Sequence, residues 1–126
     1  MKRLQAGFTM IELIVVIVIL GVLAAVAMPK FTDLLGDAKA AALQGVAGAA
    51  TSAMNVNYGA RKVAPTKGVA VANCTDVANV LQGGLPSGSN GYTVTAAAVA
   101  LDTSVSCTLT QTNGGATTTF TAIGIN

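Results

Sequence analysis

The stretch "GFTMIEL", residues 7–13, opens the most apolar part of this 126-residue chain. Residues 13–28, "LIVVIVILGVLAAVAM", contain no polar side chain. A helix over residues 8–28 would be about 31 Å long, which matches the hydrocarbon thickness of a bilayer. A carboxylate is costly inside such a helix, so Glu12 requires a partner or a function.

Two ordinary interpretations of this segment compete. Lys2 and Arg3 precede it, so the positive-inside rule keeps the N-terminus in the cytoplasm. The segment could be a secretory signal peptide, cleaved at the A-x-A site of residues 25–27. It could also be a signal anchor that stays in the membrane. Neither interpretation explains Glu12, since both would work better with an apolar residue there.

A third interpretation does explain the acid. After its short basic leader, "GFTMIEL" resembles the type IV prepilin signal. The resemblance implies that a membrane peptidase cuts after Gly7 and N-methylates Phe8, which becomes N-methylphenylalanine at the start of a retained helix. It also implies that Glu12 pairs with the terminal amine of a neighbouring subunit. A buried carboxylate is tolerable when a cation meets it, and the freed amine of Phe8 supplies one.

A helical period continues beyond the apolar span. We therefore predict one helix over residues 8–57, with Gly59 near its end. Such a helix would be about 75 Å long, too long for a small soluble domain. The predicted domains are a leader (1–7), a membrane or filament-core helix (8–29), an amphipathic half that serves as a spine (30–59) and a β head (60–126).

Gly21 and Pro29 weaken this helix, because glycine is a poor helix former and proline cannot donate to the carbonyl of Ala25. Type IV pilins carry glycine and proline at matching places. The resemblance implies that residues 21–29 form a compliant segment. "PKF", "GDA" and "LQGVAG" also resemble the mannose-sensitive haemagglutinin branch of these pilins.

A row of small residues follows at four-residue spacing. We expect Ala41, Gly45 and Ala49 to let the helix pack closely against a sheet. Small residues at this spacing can also pair two helices inside a membrane. The charges of Asp33 and Asp37 favour the first interpretation, because they place this half of the helix in water.

The sequence of the head predicts a small antiparallel sheet that lies on the C-terminal half of the long helix. The resulting α+β fold resembles that of pilin heads. A short strand around Val69 and Val71 and a short helix capped by Thr75 or Asp76 should precede the sheet. Alternating patterns then predict three strands, with a hairpin at Asn113-Gly114-Gly115. The strands fall at 92–101, 105–112 and 117–125.

Cys74 and Cys107 are the only cysteines. If the head is exported, a disulfide between them is the natural expectation, with two unpaired buried thiols as the alternative. A closed loop of about 34 residues would contribute roughly 3.8 kcal/mol in the chain-entropy model.

Residue types that carry chemistry are scarce. The chain contains no His, so no Ser–His or Cys–His nucleophile can form and metal sites lose their commonest ligand. Lys2 and Arg3 supply the whole formal charge of +2, because the other five basic and five acidic side chains cancel. The sequence predicts no catalytic residue, metal site, cofactor or nucleic-acid surface. We therefore expect a protein that is not an enzyme.

The sequence thus predicts a structural subunit of a type IV pilus, or fimbrium. It would wait in the inner membrane and polymerise into an extracellular filament. Its partners would be copies of itself or other pilins, the prepilin peptidase and the pilus assembly machinery. The alternatives are a pseudopilin of a type II secretion system and a secreted binding domain released after Ala27.

Overall fold

The computed structural model describes residues 7–126; Lys2 and Arg3 of the predicted leader lie outside them. The architecture is α+β, as predicted, with one long helix and a three-stranded antiparallel sheet. The chain divides into two compact units, one ending at Ala38 and the other spanning Lys39–Asn126. The elements are α1 (Met10–Val63), a 3-10 turn (Cys74–Asp76), α2 (Val77–Val80), β1 (Tyr92–Val94), β2 (Ser104–Gln111) and β3 (Thr117–Ile123).

Helix α1 runs to Val63 rather than to Asn57, and the predicted stop at Gly59 was wrong. The amide of Ala64 still donates to the carbonyl of Ala60 at 3.0 Å. Pro65 supplies the stop, because the residue before a proline is disfavoured in the α conformation.

The chain reverses after the helix at Gly68, whose φ is +75°. A Cβ there would lie 2.5 Å from the side-chain oxygen of Asn57, so the turn requires glycine. Asn57 is buried and its amide binds both backbone groups of Val69, at 2.7 and 2.8 Å. This buried side chain therefore ties the segment after the turn to the helix.

The helix continues through Gly21 and Pro29 without interruption. Pro29 cannot donate to the carbonyl of Ala25, yet helical backbone flanks it on both sides. Three residues after the proline, the Thr32 hydroxyl donates to the Met28 carbonyl at 3.1 Å. Side-chain bonds of this type often accompany a bend in a helix.

The sheet has the strand order β1-β2-β3, with both pairs antiparallel. The predicted strand at 92–101 is much shorter, since β1 ends at Val94. Alanine has a low strand propensity, and the alanine-rich segment after β1 pairs elsewhere, through a bridge between Ala98 and Asn73. The strand expected around Val71 is likewise a single bridge, to Ile125.

The covered face of α1 differs from the predicted one. The row Ala41, Gly45 and Ala49 is exposed, so its expected packing against the sheet was wrong. Small residues carry little pattern information, and the larger Leu43 and Met54 lie on the face that is buried. The helix residues in the core are Leu43, Ala47, Ala50 and Met54, and they cluster with Cys107, Leu109, Phe120 and Ala122 of the sheet.

The turn at Cys74–Asp76 is capped by a residue that precedes both predicted caps. Asn73, rather than Thr75 or Asp76, accepts from the amide of Thr75 at 3.1 Å. The carboxylate of Asp76 accepts in return from the amide of Asn73 at 2.8 Å. This reciprocal capping box satisfies two amides that the turn leaves free.

Cys74 and Cys107 form the expected disulfide, with their Cα atoms 5.7 Å apart. Both side chains are buried in the core cluster. The bond therefore links the capped turn to the middle of β2.

Met54→Ala should lower the free energy of unfolding by about 2–5 kcal/mol, because it opens a cavity in the core. Met54 is fully buried, whereas Val56 on the same helix is 72% exposed. Val56→Ala, the matched control, should change stability by less than about 0.5 kcal/mol. Thermal unfolding of the detergent-solubilised chain, followed by near-UV circular dichroism, gives the comparison. Equal effects of the two variants would contradict this assignment of the buried face.

Removing the disulfide by Cys74→Ser and Cys107→Ser together should destabilise the head by about 3–4 kcal/mol, because the unfolded chain regains loop entropy. Reductant alone should leave the bond intact in the folded protein, since both sulfurs are buried. Thiol labelling before and after unfolding measures this directly. Rapid labelling of the folded chain in reductant would show that the bond is accessible.

Candidate assembly site

The first turn of α1 is closed by a reciprocal pair of side-chain bonds. The Thr9 hydroxyl oxygen accepts from the amide of Glu12 at 3.3 Å. The carboxylate oxygen Oε2 of Glu12 accepts from the Thr9 amide at 3.0 Å and from the Thr9 hydroxyl at 2.8 Å. This is a capping box, which satisfies two amides that have no partner inside the helix. It also explains why the helix begins at Met10 rather than at Phe8.

This local role of Glu12 was not predicted. The signal was present, since Thr9-Met10-Ile11-Glu12 has the T-x-x-E spacing of a capping box. A carboxylate at this position therefore has a structural reason in any protein that begins a helix here. The predicted pairing of Glu12 with a neighbouring subunit stays a prediction beside this local role.

The capping bonds nevertheless use one carboxylate oxygen only. Both donors from Thr9 bind Oε2, and within residues 7–126 no group donates to Oε1 of Glu12. The carboxylate lines a shallow groove with Phe8, Ile11, Val15 and Val16. An additional cation or donor can therefore reach Glu12 while the cap stays formed.

An apolar surface surrounds this groove. Phe8 is 88% exposed and Ile14, the least exposed of the large apolar side chains in this span, is still 46% exposed. Within the part of the chain that the structure describes, α1 is the one helix that is long and apolar enough to cross a membrane. The large apolar side chains in its first half are thus all exposed.

A second polar cluster lies in the head. Lys62 pairs with Asp102 at 2.6 Å, and the Tyr58 hydroxyl donates to the same carboxylate oxygen at 3.0 Å. These bonds lower the pKa of Asp102, and the bond to Asp102 raises the pKa of Lys62. The ion pair stabilises the fold at pH values between these two pKa values. Its contribution is lost as pH falls through the lowered pKa of Asp102 or rises through the raised pKa of Lys62. Because both groups are exposed, its effect is small.

The two basic residues in the last turn of α1 both have partners. Lys62 is bound to Asp102, and the Arg61 guanidinium donates to the Gly68 carbonyl at 3.3 Å. Residues 7–126 hold no group of three or more His, Cys, Asp or Glu side chains that could ligate a metal ion. The candidate site is consequently the start of α1, where Gly7 and Phe8 precede the capped turn.

The family model of the prokaryotic N-terminal methylation motif matches residues 2–28. The type IV narrow pilus major component PilA5 of Thermus thermophilus is 38% identical to this chain over 119 residues. That alignment covers 90% of this chain and 92% of the relative.

The chain belongs to the type IV pilin family.

Other relatives match this pilin over shorter stretches. The fimbrial protein EcpC of Eikenella corrodens is 36% identical over 70 residues, 56% of this chain and 46% of the relative. The type IV major fimbrial protein FimA of Dichelobacter nodosus is 51% identical over 41 residues, 32% of this chain and 26% of the relative. No solved structure matches this pilin.

Thr9→Val should fray the first turn of α1 by about 1 kcal/mol, because it removes the hydroxyl that caps the Glu12 amide. Thr9→Ser keeps the hydroxyl and is the matched control. Amide hydrogen exchange of the chain in detergent micelles should show faster exchange at Glu12 in the valine variant only. Equal protection in the two variants would mean that the hydroxyl does not cap the helix.

Proposed function

We propose that this pilin is a structural subunit of a type IV pilus that is made as a prepilin. It enters the inner membrane through residues 8–28, with its N-terminus in the cytoplasm. The prepilin peptidase cleaves after Gly7 and N-methylates Phe8. The assembly machinery then polymerises the mature chain, alone or with other pilins, into an extracellular filament.

The observation that carries this proposal is the exposure of the apolar half of α1. Every large apolar side chain from Phe8 to Leu35 is at least 46% exposed. Burying one such side chain is worth about 1.5–3 kcal/mol, so the helix must lie in lipid or against other helices. Retention of the helix after cleavage at Gly7 lets the same surface serve first in the membrane and then in a filament.

Glu12 acts in this proposal as the element that sets register. Contacts between uniformly apolar helices hold the helices together but do not fix the axial offset between them. Glu12 keeps one oxygen on its own cap and has the other free for the amine of Phe8 in a neighbouring subunit. An ion pair that forms at one offset only can specify that offset, as buried polar groups do in coiled coils.

Each segment of the chain has its own role in the filament. Residues 8–29 form the filament core, residues 30–59 form a spine and residues 60–126 form the head. Gly21 and Pro29 make the intervening helix compliant, because one lacks a side chain and the other lacks an amide donor. A filament of such helices can lengthen there without disturbing the head.

Glu12→Ala tests the assembly role. The variant should be inserted in the membrane and processed like the wild type, but filament yield should fall at least about tenfold, since an unpaired partner of a buried ion pair costs ~3–5 kcal/mol. Sheared filaments are quantified against membrane-bound subunit by immunoblot. Asp37→Asn, which removes an exposed carboxylate from the same helix, is the matched control and should assemble normally.

Thr9→Val separates pairing between subunits from capping. This variant loses the hydroxyl of the cap but keeps the carboxylate of Glu12. It should therefore assemble far better than Glu12→Ala. Equal losses in the two variants would mean that Glu12 acts through the local cap, and a wild-type yield from Glu12→Ala would remove the register argument altogether.

A further inference from the structure

The chain contains two Asn-Gly dipeptides, Asn90-Gly91 and Asn113-Gly114. Asparagine followed by glycine can deamidate without an enzyme, because glycine has no side chain to shield its backbone nitrogen from the asparagine amide. The structure places the two dipeptides side by side at one end of the sheet. The Asn113 side-chain amide donates to the Asn90 side-chain oxygen at 3.0 Å.

We propose that Asn113 is a site of spontaneous deamidation in the folded protein and that Asn90 is protected. Asn113, Gly114 and Gly115 are all exposed in the connection between β2 and β3. Within residues 7–126 the backbone amide of Gly114 donates to no group. Gly114 has a φ of +107°, and a Cβ built on it would have no neighbour within 4 Å, so no group encloses the backbone on that side.

The neighbouring dipeptide has the opposite environment. Gly91 is buried and its amide donates to the Gly88 carbonyl at 3.0 Å. A Cβ on Gly91 would lie 2.6 Å from the Pro86 carbonyl oxygen, which shows how tightly the backbone is enclosed. The Gly91 carbonyl also accepts from the Thr112 amide at 3.0 Å. Attack by the Gly91 nitrogen on Asn90 thus requires the turn to open first.

The chemistry needs water alone. The Gly114 nitrogen loses its proton to hydroxide and attacks Cγ of Asn113, forming a new C–N bond. The bond from Cγ to Nδ2 breaks, and that nitrogen leaves as ammonia after taking a proton from water. Water then opens the cyclic imide at either carbonyl and yields aspartate or isoaspartate. No group is oxidised or reduced.

The modification changes the tip of the sheet in two ways. The amide that donated to Asn90 becomes a carboxylate oxygen with no proton to donate, so the bond at 3.0 Å is lost. The formal charge of the chain falls by one unit, because one neutral side chain becomes an acid. The backbone bond from Thr112 to Gly91 remains, so the two loops loosen without separating. Aged subunits would therefore carry an altered, more acidic tip.

The test follows both asparagines in the full-length chain, held in detergent at mildly alkaline pH. Peptide mapping by mass spectrometry should show Asn113 deamidating at least about tenfold faster than Asn90, since a protecting cost of only ~1.4 kcal/mol produces that ratio. In guanidinium with the disulfide reduced, the two rates should converge. Equal rates in the folded chain, or faster loss of Asn90, would overturn the proposal.

Matched variants locate the charge change. Asn113→Gln should abolish the slow acidic shift in isoelectric focusing, because a glutamine in its place cyclises far more slowly. Asn90→Gln should leave the shift in place. If the shift persists in Asn113→Gln, another residue is responsible and the assignment is wrong.

Discussion

All the buried residues of the 54-residue helix α1 lie between Leu43 and Asn57. The rest of the molecule follows from this restriction. The head needs four apolar residues of the helix to complete a core that the short strands and small side chains could not build alone. The earlier part of the helix is left with a large apolar surface that water does not tolerate. The head and the second half of the helix therefore share one core, whereas the first half of the helix has no buried residue in the described chain.

Capping boxes begin two separate elements of the described chain. A capping box at Thr9 and Glu12 starts the helix, and a second capping box at Asn73 and Asp76 starts the turn that carries Cys74. The head then adds a buried disulfide and a buried Asn57 that replaces a strand partner. These polar and covalent links suit a head rich in alanine, threonine and glycine. They fix the path of the chain where apolar side chains are too small to do so.

Much of this could be predicted from the sequence. The apolar span, the long helix, the hairpin between the last two strands and the disulfide all carry strong local patterns or a unique pair of cysteines. The buried face of α1 could not be predicted, because alanine and glycine occur on every side of the helix after Ala38 and their burial is decided by the sheet. The predicted helix end at Gly59 was wrong because a helix tolerates glycine at a modest cost, whereas Pro65 disfavours helical backbone in the residue before it.

At the candidate site, the sequence identified Glu12 but gave it a single role. A T-x-x-E spacing at the start of a helix is a local signal for a capping box. Here it lies within "GFTMIEL", whose resemblance to the prepilin signal suggested only the assembly role. In the structure, one carboxylate oxygen of Glu12 accepts both capping bonds from Thr9 and the other oxygen accepts none within the described residues. The local role and the proposed assembly role are therefore compatible. The tip of the sheet shows the same limit: two identical dipeptides differ in environment only because the fold buries Gly91 and exposes Gly114.

The proposed function requires that the apolar helix is retained and begins at a processed Phe8. Intact mass and N-terminal sequencing of the protein sheared from cells test this claim directly. An N-methylated Phe8 at the N-terminus is the result that the account predicts. A terminus at Met28, which follows Ala27 in the A-x-A site, would mean that the helix is a discarded signal peptide and would contradict the account.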